Sequence, residues 1–353
     1  MTNSPKYSIL ANAIRKKIAG GTYRDGDKLP SENELSLQYG YSRQTVRQAF
    51  GVLEEEGLLR RERGSGTYVH HKMKNSAKTM TIGVITTYIT DYIFPSIIRG
   101  IESELTHRGY SLTLGVTKNR VENENKILHS FIDKKVDGII VEGTQTAFPN
   151  PNITLYKQLD ECGIPYVFFN GFYRDLPCVH ITTNDRECGA AAAEYLIQDK
   201  HCKKLGGIFK SDDMQGHERY AGFAEGVLKC QKELDDDAVI WFTTAEKESL
   251  FSEHNADVVL KRLEGCSGIV CYNDQVAYSL IKLLEKYDSK VPNDVAVIGY
   301  DNANLLEYSS LKITTFEHPK EKMGSLAASK IVNLVENSKA EKSEVLRMNM
   351  IVK

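Results

Sequence analysis

The sequence predicts an α/β protein in two parts, an N-terminal winged helix-turn-helix and a larger body of two lobes, each a doubly wound parallel sheet. Three observations predict it. From Thr79 onward short apolar runs alternate with helix-like stretches, the pattern of parallel sheets covered on both faces. Two capped helical segments joined by a glycine turn lie between Ser31 and Leu53. At Gly57 the period changes, and two short strand-like runs flank a turn that contains glycine. At 353 residues the chain is also too long for one ordinary domain.

In the head, residues 6–20 carry Ile9, Leu10, Ala13, Ile14 and Ile18 as an apolar stripe, so a first helix is expected there. Ser31 and Glu34 have the spacing of a capping box, with Leu35 and Leu37 as the apolar residues of the helix and Gly40 at its end. Ser42 caps the next helix, whose first turns present Arg43, Gln44, Thr45 and Arg47, while Val46, Phe50 and Leu53 face a core. These residue types suit a base edge: Arg can grip guanine O6 and N7 through two bonds, and Gln can do the same to adenine. Runs 58–61 and 66–69 read as a hairpin with a small basic tip. Any one of these arginines is as readily a solvated surface charge; the agreement of caps, spacing and tip makes the case.

The head resembles the winged helix-turn-helix domain of the GntR family. The shared text is Tyr7, G-x-Y-x-x-G-D-x-LPSE ending at Glu32, S-R-x-T-V-R from Ser42 to Arg47, L-x-x-E-G-L from Leu53 and G-x-G-T-Y-V from Gly64. The resemblance implies DNA contacts by Arg43, Gln44, Thr45 and Arg47, by the LPSE glutamate Glu32, and by Arg63 and Gly64 at the wing tip. Asn33 is included, standing where many members carry Arg. The domain reading is 1–70 for the head, 71–78 for a polar basic linker and 79–353 for the body. The adjacent His70 and His71 have no metal-ligand partners near in sequence, so a tether is the better reading.

In the body the apolar runs are 81–86, 111–116, 138–142, 166–170, 205–210, 238–243, 268–274 and 295–301, with helical text between them. Ligands of doubly wound sheets bind outside the carboxyl ends of the strands. Polar residues concentrate at those ends: Asp91, Tyr92 and Phe94 after the first run, then Glu142, Asn170, Lys210 with Asp212 and Asp213, Asn273 with Asp274, and Asp301. A single such residue, Asp274 or Asn184 for example, is as readily a helix cap. Six strands ending this way mark a cleft for a hydroxyl-rich molecule. Carboxylates accept from vicinal hydroxyls, Arg, Lys and Asn donate, and charge-assisted bonds contribute about 1.5–3 kcal/mol each. Tyr92 and Phe94 could cover a sugar face, and His318, beside Pro319, could reach the same cleft. Trp241, the sole tryptophan, sits near a strand end as a possible reporter.

The body resembles the effector domain of the LacI/GalR family, which shares its fold with periplasmic sugar-binding proteins. The matching text includes V-D-G-I-I-V at Val136, R-x-x-G-F at Arg219, C-Y-N-D-Q-V-A at Cys271 and V-P-x-D-V-A-V-I-G-Y-D at Val291. The resemblance implies that Arg219, Asn273 and Asp301 grip the effector, and Glu142 and Asn170 also match ligand positions. The family's hinge helix is absent. A GntR-type head on this body resembles the arabinose-responsive repressors of Gram-positive bacteria, which implies L-arabinose as effector ligand, no cofactor, operator DNA as partner and a homodimer. The residues alone reach only a small polyol, and a regulator answering another small sugar is the alternative.

An enzyme is the rival class, yet no P-loop, G-x-S-x-G or metal spacing is present. The first 75 residues hold 13 Lys+Arg against 8 Asp+Glu and the remainder 32 against 39, a basic head on an acidic body. The N-terminus has no apolar signal core, no run is long enough to span a bilayer, and seven scattered cysteines suit a reducing cytoplasm.

Overall fold

The computed structural model describes residues 5–19, 22–23, 26–62, 65–69, 78–90, 92–303, 312–337 and 341–353. The chain divides into two compact units, Met1–Lys78 and Thr79–Lys353.

The head contains α1 (Lys6–Ala19), α2 (Glu32–Tyr39), α3 (Arg43–Glu55), β1 (Leu59–Glu62) and β2 (Gly66–Val69). The caps form as the sequence predicts. Ser31 Oγ accepts from the Glu34 N–H at 3.3 Å and Glu34 Oε2 accepts from the Ser31 N–H at 2.7 Å, while Gly40 closes α2 at a left-handed φ of 67°. Ser42 Oγ accepts from the Thr45 N–H at 3.2 Å. Leu10, Ile14, Leu35, Val46, Phe50, Leu53 and Leu59 form the core. Two expected core residues lie outside it. Ile9 is 47% exposed because α1 turns Leu10 and Ala11 inward, and Leu37 is 86% exposed because the short α2 buries Leu35 alone. The strands pair antiparallel, Leu59 opposite Val69; β1 starts one residue later than expected and β2 where expected.

The larger unit begins with lobe I: β3 (Thr81–Thr86), α4 (Phe94–His107), β4 (Ser111–Val116), α5 (Val121–Lys134), β5 (Gly138–Val141), α6 (Ile153–Cys162), β6 (Tyr166–Phe169) and β7 (Val179–Thr183). Lobe II follows: α7 (Asp185–Gln198), β8 (Leu205–Lys210), α8 (Met214–Lys229), β9 (Val239–Phe242), α9 (Glu253–Arg262), β10 (Gly268–Cys271), α10 (Asp274–Lys286) and β11 (Ala296–Ile298). The chain ends with β12 (Thr315–Phe316), α11 (Lys320–Asn337), β13 (Glu344–Leu346) and β14 (Met350–Ile351). Sheet I runs β13-β7-β6-β5-β3-β4 and sheet II β11-β10-β8-β9, all neighbours parallel. Each lobe has an apolar cluster on both faces of its sheet, which is why its strands are apolar without alternation. The chain passes between lobes three times: after Thr183, between β12 and α11, and between β13 and β14.

Two helix pairs meet at backbone distance. A Cβ on Gly222 of α8 would lie 1.8 Å from the Arg186 carbonyl oxygen of α7, and one on Gly100 of α4 would lie 2.2 Å from the Glu321 carbonyl of α11. Gly222→Ala is therefore expected to lower the unfolding free energy by about 1–3 kcal/mol through overpacking. Gly51→Ala, in α3 with open space at its Cβ, should raise that of the head by about 0.5–1 kcal/mol. Denaturant titration checks both signs.

Candidate functional site

The carboxyl ends of both sheets face one cavity of about 310 Å³, at the lower end of the size range for small-ligand sites. Nine of the ten candidates line it. Tyr92, Phe94, Glu142 and Asn170 come from lobe I; Lys210, Arg219, Asn273 and Asp301 come from lobe II; His318 comes from the crossing segment before α11. Asp91, like the wing-tip Arg63 and Gly64, lies outside the described residues.

Arg219 is the hub of the lobe II wall. It is buried on α8, and its Nε donates to Asp185 Oδ1 at 2.7 Å, one Nη to the Tyr272 carbonyl at 2.5 Å and the other to Asp301 Oδ1 at 3.4 Å. The guanidinium lies 4.3 Å from the Tyr300 ring centroid and 5.1 Å from that of Tyr272. Burial opposes its charge, but Asp185 and Asp301 outweigh it and raise its pKa further. Guanidinium has five N–H donors, so two are left for a ligand.

Asp301 stands at φ 92°, an uncommon conformation for a residue with a side chain, and this aims its carboxylate at both lobes. The Tyr92 hydroxyl of lobe I donates to Asp301 Oδ2 at 2.6 Å. Burial first, then Asp301, holds that hydroxyl protonated by raising its pKa well above the ordinary range. Lys210 lies 2.9 Å from Asp212 Oδ1 and 2.9 Å from Asp213 Oδ2; burial works against its charge, and the two carboxylates prevail and raise its pKa.

In lobe I, Glu142 accepts from the Thr87 N–H at 2.7 Å, the Thr87 hydroxyl at 2.6 Å and Asn170 Nδ2 at 3.0 Å. Burial raises its pKa against those donors. Asn170 Oδ1 is 3.3 Å from His318 Nε2, and since Asn170 spends its N–H on Glu142, the His318 proton belongs on Nε2. Tyr88 and Phe94 add an aromatic edge, with ring centroids 5.8 Å apart.

Burial, and then Lys320, lowers the His318 pKa to about 3 from the ordinary 6.5. Between those values the unfolded chain binds a proton that the folded chain refuses, so this residue's contribution is present above pH 6.5 and is lost as pH falls toward 3. Asp274 acts in the opposite sense: burial raises it to about 7 from 3.8, so its contribution is full below about 4 and fades as pH rises through 7. His318→Gln is expected to flatten the acid limb of stability between pH 6.5 and 3 by about one proton, measured by thermal unfolding across that range.

Two expectations need correction. Asp274 is not the cap of α10: Asn273 Oδ1 accepts from the Val276 N–H at 3.0 Å, and Asp274 instead accepts from Thr315 Oγ1 at 2.7 Å. Asn184 makes no side-chain cap bond on α7, because its Oδ1 accepts from the Met348 N–H at 2.8 Å. Trp241 stands one residue from the end of β9, as expected, and packs on Phe209, Tyr220 and His217, while strand alternation gives the cavity Phe242. Sequence reading missed Asp185, Asn119, Thr87 and Tyr272. Asn119 follows β4 and Asp185 follows β7, so the strand-end rule could have found both, but the β7 run is not among those the sequence marks.

In the head, Arg43, Gln44 and Arg47 are exposed on one end of α3, and Thr45 is half-buried. Arg47 pairs with Glu32 at 3.0 Å, so the Glu32 carboxylate faces the arginine from the start of α2, and Asn33 follows it on the same helix.

Residues 6–69 match the bacterial regulatory proteins of the gntR family, and residues 193–353 match the periplasmic binding protein-like domain. The chain is 37% identical over 343 residues to the arabinose metabolism transcriptional repressor of Halalkalibacterium halodurans, covering 96% of this chain and 91% of that one. It is 35% identical over 340 residues to the repressor of the same description from Geobacillus stearothermophilus, covering 96% and 93%. The chain belongs to this family of transcriptional repressors. The repressor's larger unit is similar in fold to the transcription regulator CcpA of Lactococcus lactis, with a TM-score of 0.68 and 25% identity over 77% of this chain and 97% of that one. The repressor thus joins a DNA-binding head to a regulator body and is not an enzyme. Among the described residues no helix of the repressor is long and apolar enough to cross a membrane.

Proposed function

We propose that the chain is a cytoplasmic repressor of arabinose metabolism genes, released from its operator when L-arabinose fills the cavity between lobes I and II. The observation that carries this reading is the convergence of Arg219, Asp301, Lys210, Glu142 and Asn170 on one cavity bridged by Tyr92. The names of the relatives support arabinose among small sugars. In this reading acceptors and donors alternate around the wall, Tyr92 and Phe94 cover a sugar face, and His318 offers its unprotonated Nδ1 as an acceptor. The protein acts as a homodimer on a palindromic operator, with Arg43, Gln44, Thr45, Arg47 and the wing on each half-site. Glu32 and Asn33 flank them. No cofactor takes part.

Linkage makes the effect reciprocal: L-arabinose weakens operator binding by the factor by which operator weakens L-arabinose binding. A gel-shift titration is expected to show operator affinity falling by tenfold or more at saturating L-arabinose, with epimeric pentoses inactive. Unchanged affinity rejects induction by this sugar.

A further inference from the structure

We infer that Asn119, in the turn after β4, is a positioning residue that ties lobe I to the Asp212–Lys210 pair of lobe II and so aims the Lys210 cation into the cavity. The inference rests on reading that cavity as the effector site and adds to it a lining residue whose amide is engaged by Gln145, Thr244 and Asp212. Lys118 and Asn119 stand at φ 51° and 54°, two successive left-handed residues with side chains, which the surroundings must hold in place. Asn119 is buried. Its Oδ1 accepts from the Gln145 N–H at 2.9 Å and its carbonyl accepts from Gln145 Nε2 at 3.0 Å. The backbone donor at Oδ1 settles which way the amide points. Nδ2 therefore faces lobe II, where it donates to Thr244 Oγ1 at 2.6 Å and to Asp212 Oδ2 at 3.3 Å.

Asp212 is divided between two tasks. Its Oδ2 takes Asn119 Nδ2 and the Thr244 N–H at 2.8 Å, and its Oδ1 lies 2.9 Å from Lys210 Nζ. On the far side of Lys210, Asp213 Oδ2 takes both the ammonium at 2.9 Å and the Tyr272 hydroxyl at 2.6 Å. The ammonium has three donors; Asp213 holds one by a hydrogen bond, Asp212 pairs with its charge, and Lys210 lines the cavity. Hydrogen bonds thus run from the Gln145 loop of lobe I, through one amide, to Asp212, and an ion pair carries the link on to a cation in lobe II. When the lobes part, Asp212 loses its donor from lobe I, and the direction of Lys210 is no longer fixed by it.

The test uses the full-length chain with Asn119→Ala, Thr244→Val and the double variant. Calorimetry with L-arabinose is expected to show Asn119→Ala weakened about tenfold, Thr244→Val weakened less, and the double variant no weaker than Asn119→Ala alone. Hydrogen exchange without sugar is expected to quicken at amides 243–246 in Asn119→Ala, across the lobe boundary from the substitution, with the unfolding midpoint unchanged. Wild-type sugar affinity in Asn119→Ala, or effects of the two substitutions that multiply independently, overturns the inference. Should Asn119→Ala fold poorly, Thr244→Val keeps its shape and carries the test from lobe II: unchanged exchange at 143–146 rejects the tie. If the wild type itself fails to bind L-arabinose, the effector reading falls, and the exchange measurements still decide the tie by themselves.

Discussion

Arg219→Met is expected to remove sugar binding and to lower the stability of the larger unit by about 3–5 kcal/mol, the usual consequence of leaving buried carboxylates without their cation. Methionine fills similar space, so the loss is one of charge and donors, with little change in packing. Among the described residues, the hydrogen bonds left to these carboxylates are those from the Thr183 hydroxyl to Asp185 and from the Tyr92 hydroxyl to Asp301, each at 2.6 Å. The two free N–H groups that Arg219 offers a ligand vanish at the same time. Arg219→Lys should not rescue binding, because an ammonium cannot serve three acceptors spread in one plane. The double variant Arg219→Met with Asp185→Asn separates the two effects. It is expected to regain much of the stability, since one uncompensated charge is gone, and none of the sugar affinity. Denaturant titration and calorimetry read the two quantities. Sugar affinity within threefold of wild type in Arg219→Met would remove this residue from the site.

How much of this was legible depends on how local the cause is. Strands β3, β4 and β8 occupy the runs the sequence marks; β3 and β8 are buried nearly throughout, which favours apolar residues along the whole strand, whereas the edge strand β4 keeps several partly exposed positions. The caps of α2 and α3 were legible because one side chain meets one backbone donor three residues away. β7 and α11 left weaker text. Three of the five β7 residues are half-buried, and its edge is covered by β13, brought from 163 residues later with no local signal. Where α11 meets α4 it brings Gly324 against the Ile97 carbonyl, a close approach that periodicity does not detect, beside the buried Met323, Ile331 and Val332.

The site was legible through the strand-end rule, which depends on topology alone, and through motif resemblance. What escaped both is the contact between lobes. Tyr92 meets Asp301 across 209 residues, and Asn119 meets Thr244 across 125. Asp301 could be named from its motif, but its left-handed φ, which lets one carboxylate serve Tyr92 and Arg219 together, is a property of the folded crossing. Trp241 and Phe242 show the same limit at smaller scale: adjacent in sequence, they fall on opposite faces of β9, and register decides which one meets the cavity.

Arg43→Ala and Arg47→Ala are each expected to weaken operator binding about tenfold or more while leaving L-arabinose affinity unchanged. Both side chains are exposed at the N-terminal end of α3, the end that enters the major groove in helix-turn-helix readers. The head is a compact unit with its own core, and neither side chain belongs to the unit that holds the cavity. Arg47 is held by Glu32 in a largely exposed pair, and an exposed pair contributes little to stability and exchanges easily for a phosphate or base. Glu32→Gln is therefore expected to alter operator selectivity more than folding, by freeing Arg47 to sample other partners. Titration across salt concentrations separates the roles: a phosphate contact lowers the salt slope by about one when removed and weakens all sequences alike, whereas a base contact relaxes preference at one position. If both alanine variants bind operator as the wild type does, α3 is not the reading helix. If either loses sugar binding while its head stays folded, the division between a head that reads and a body that senses is wrong.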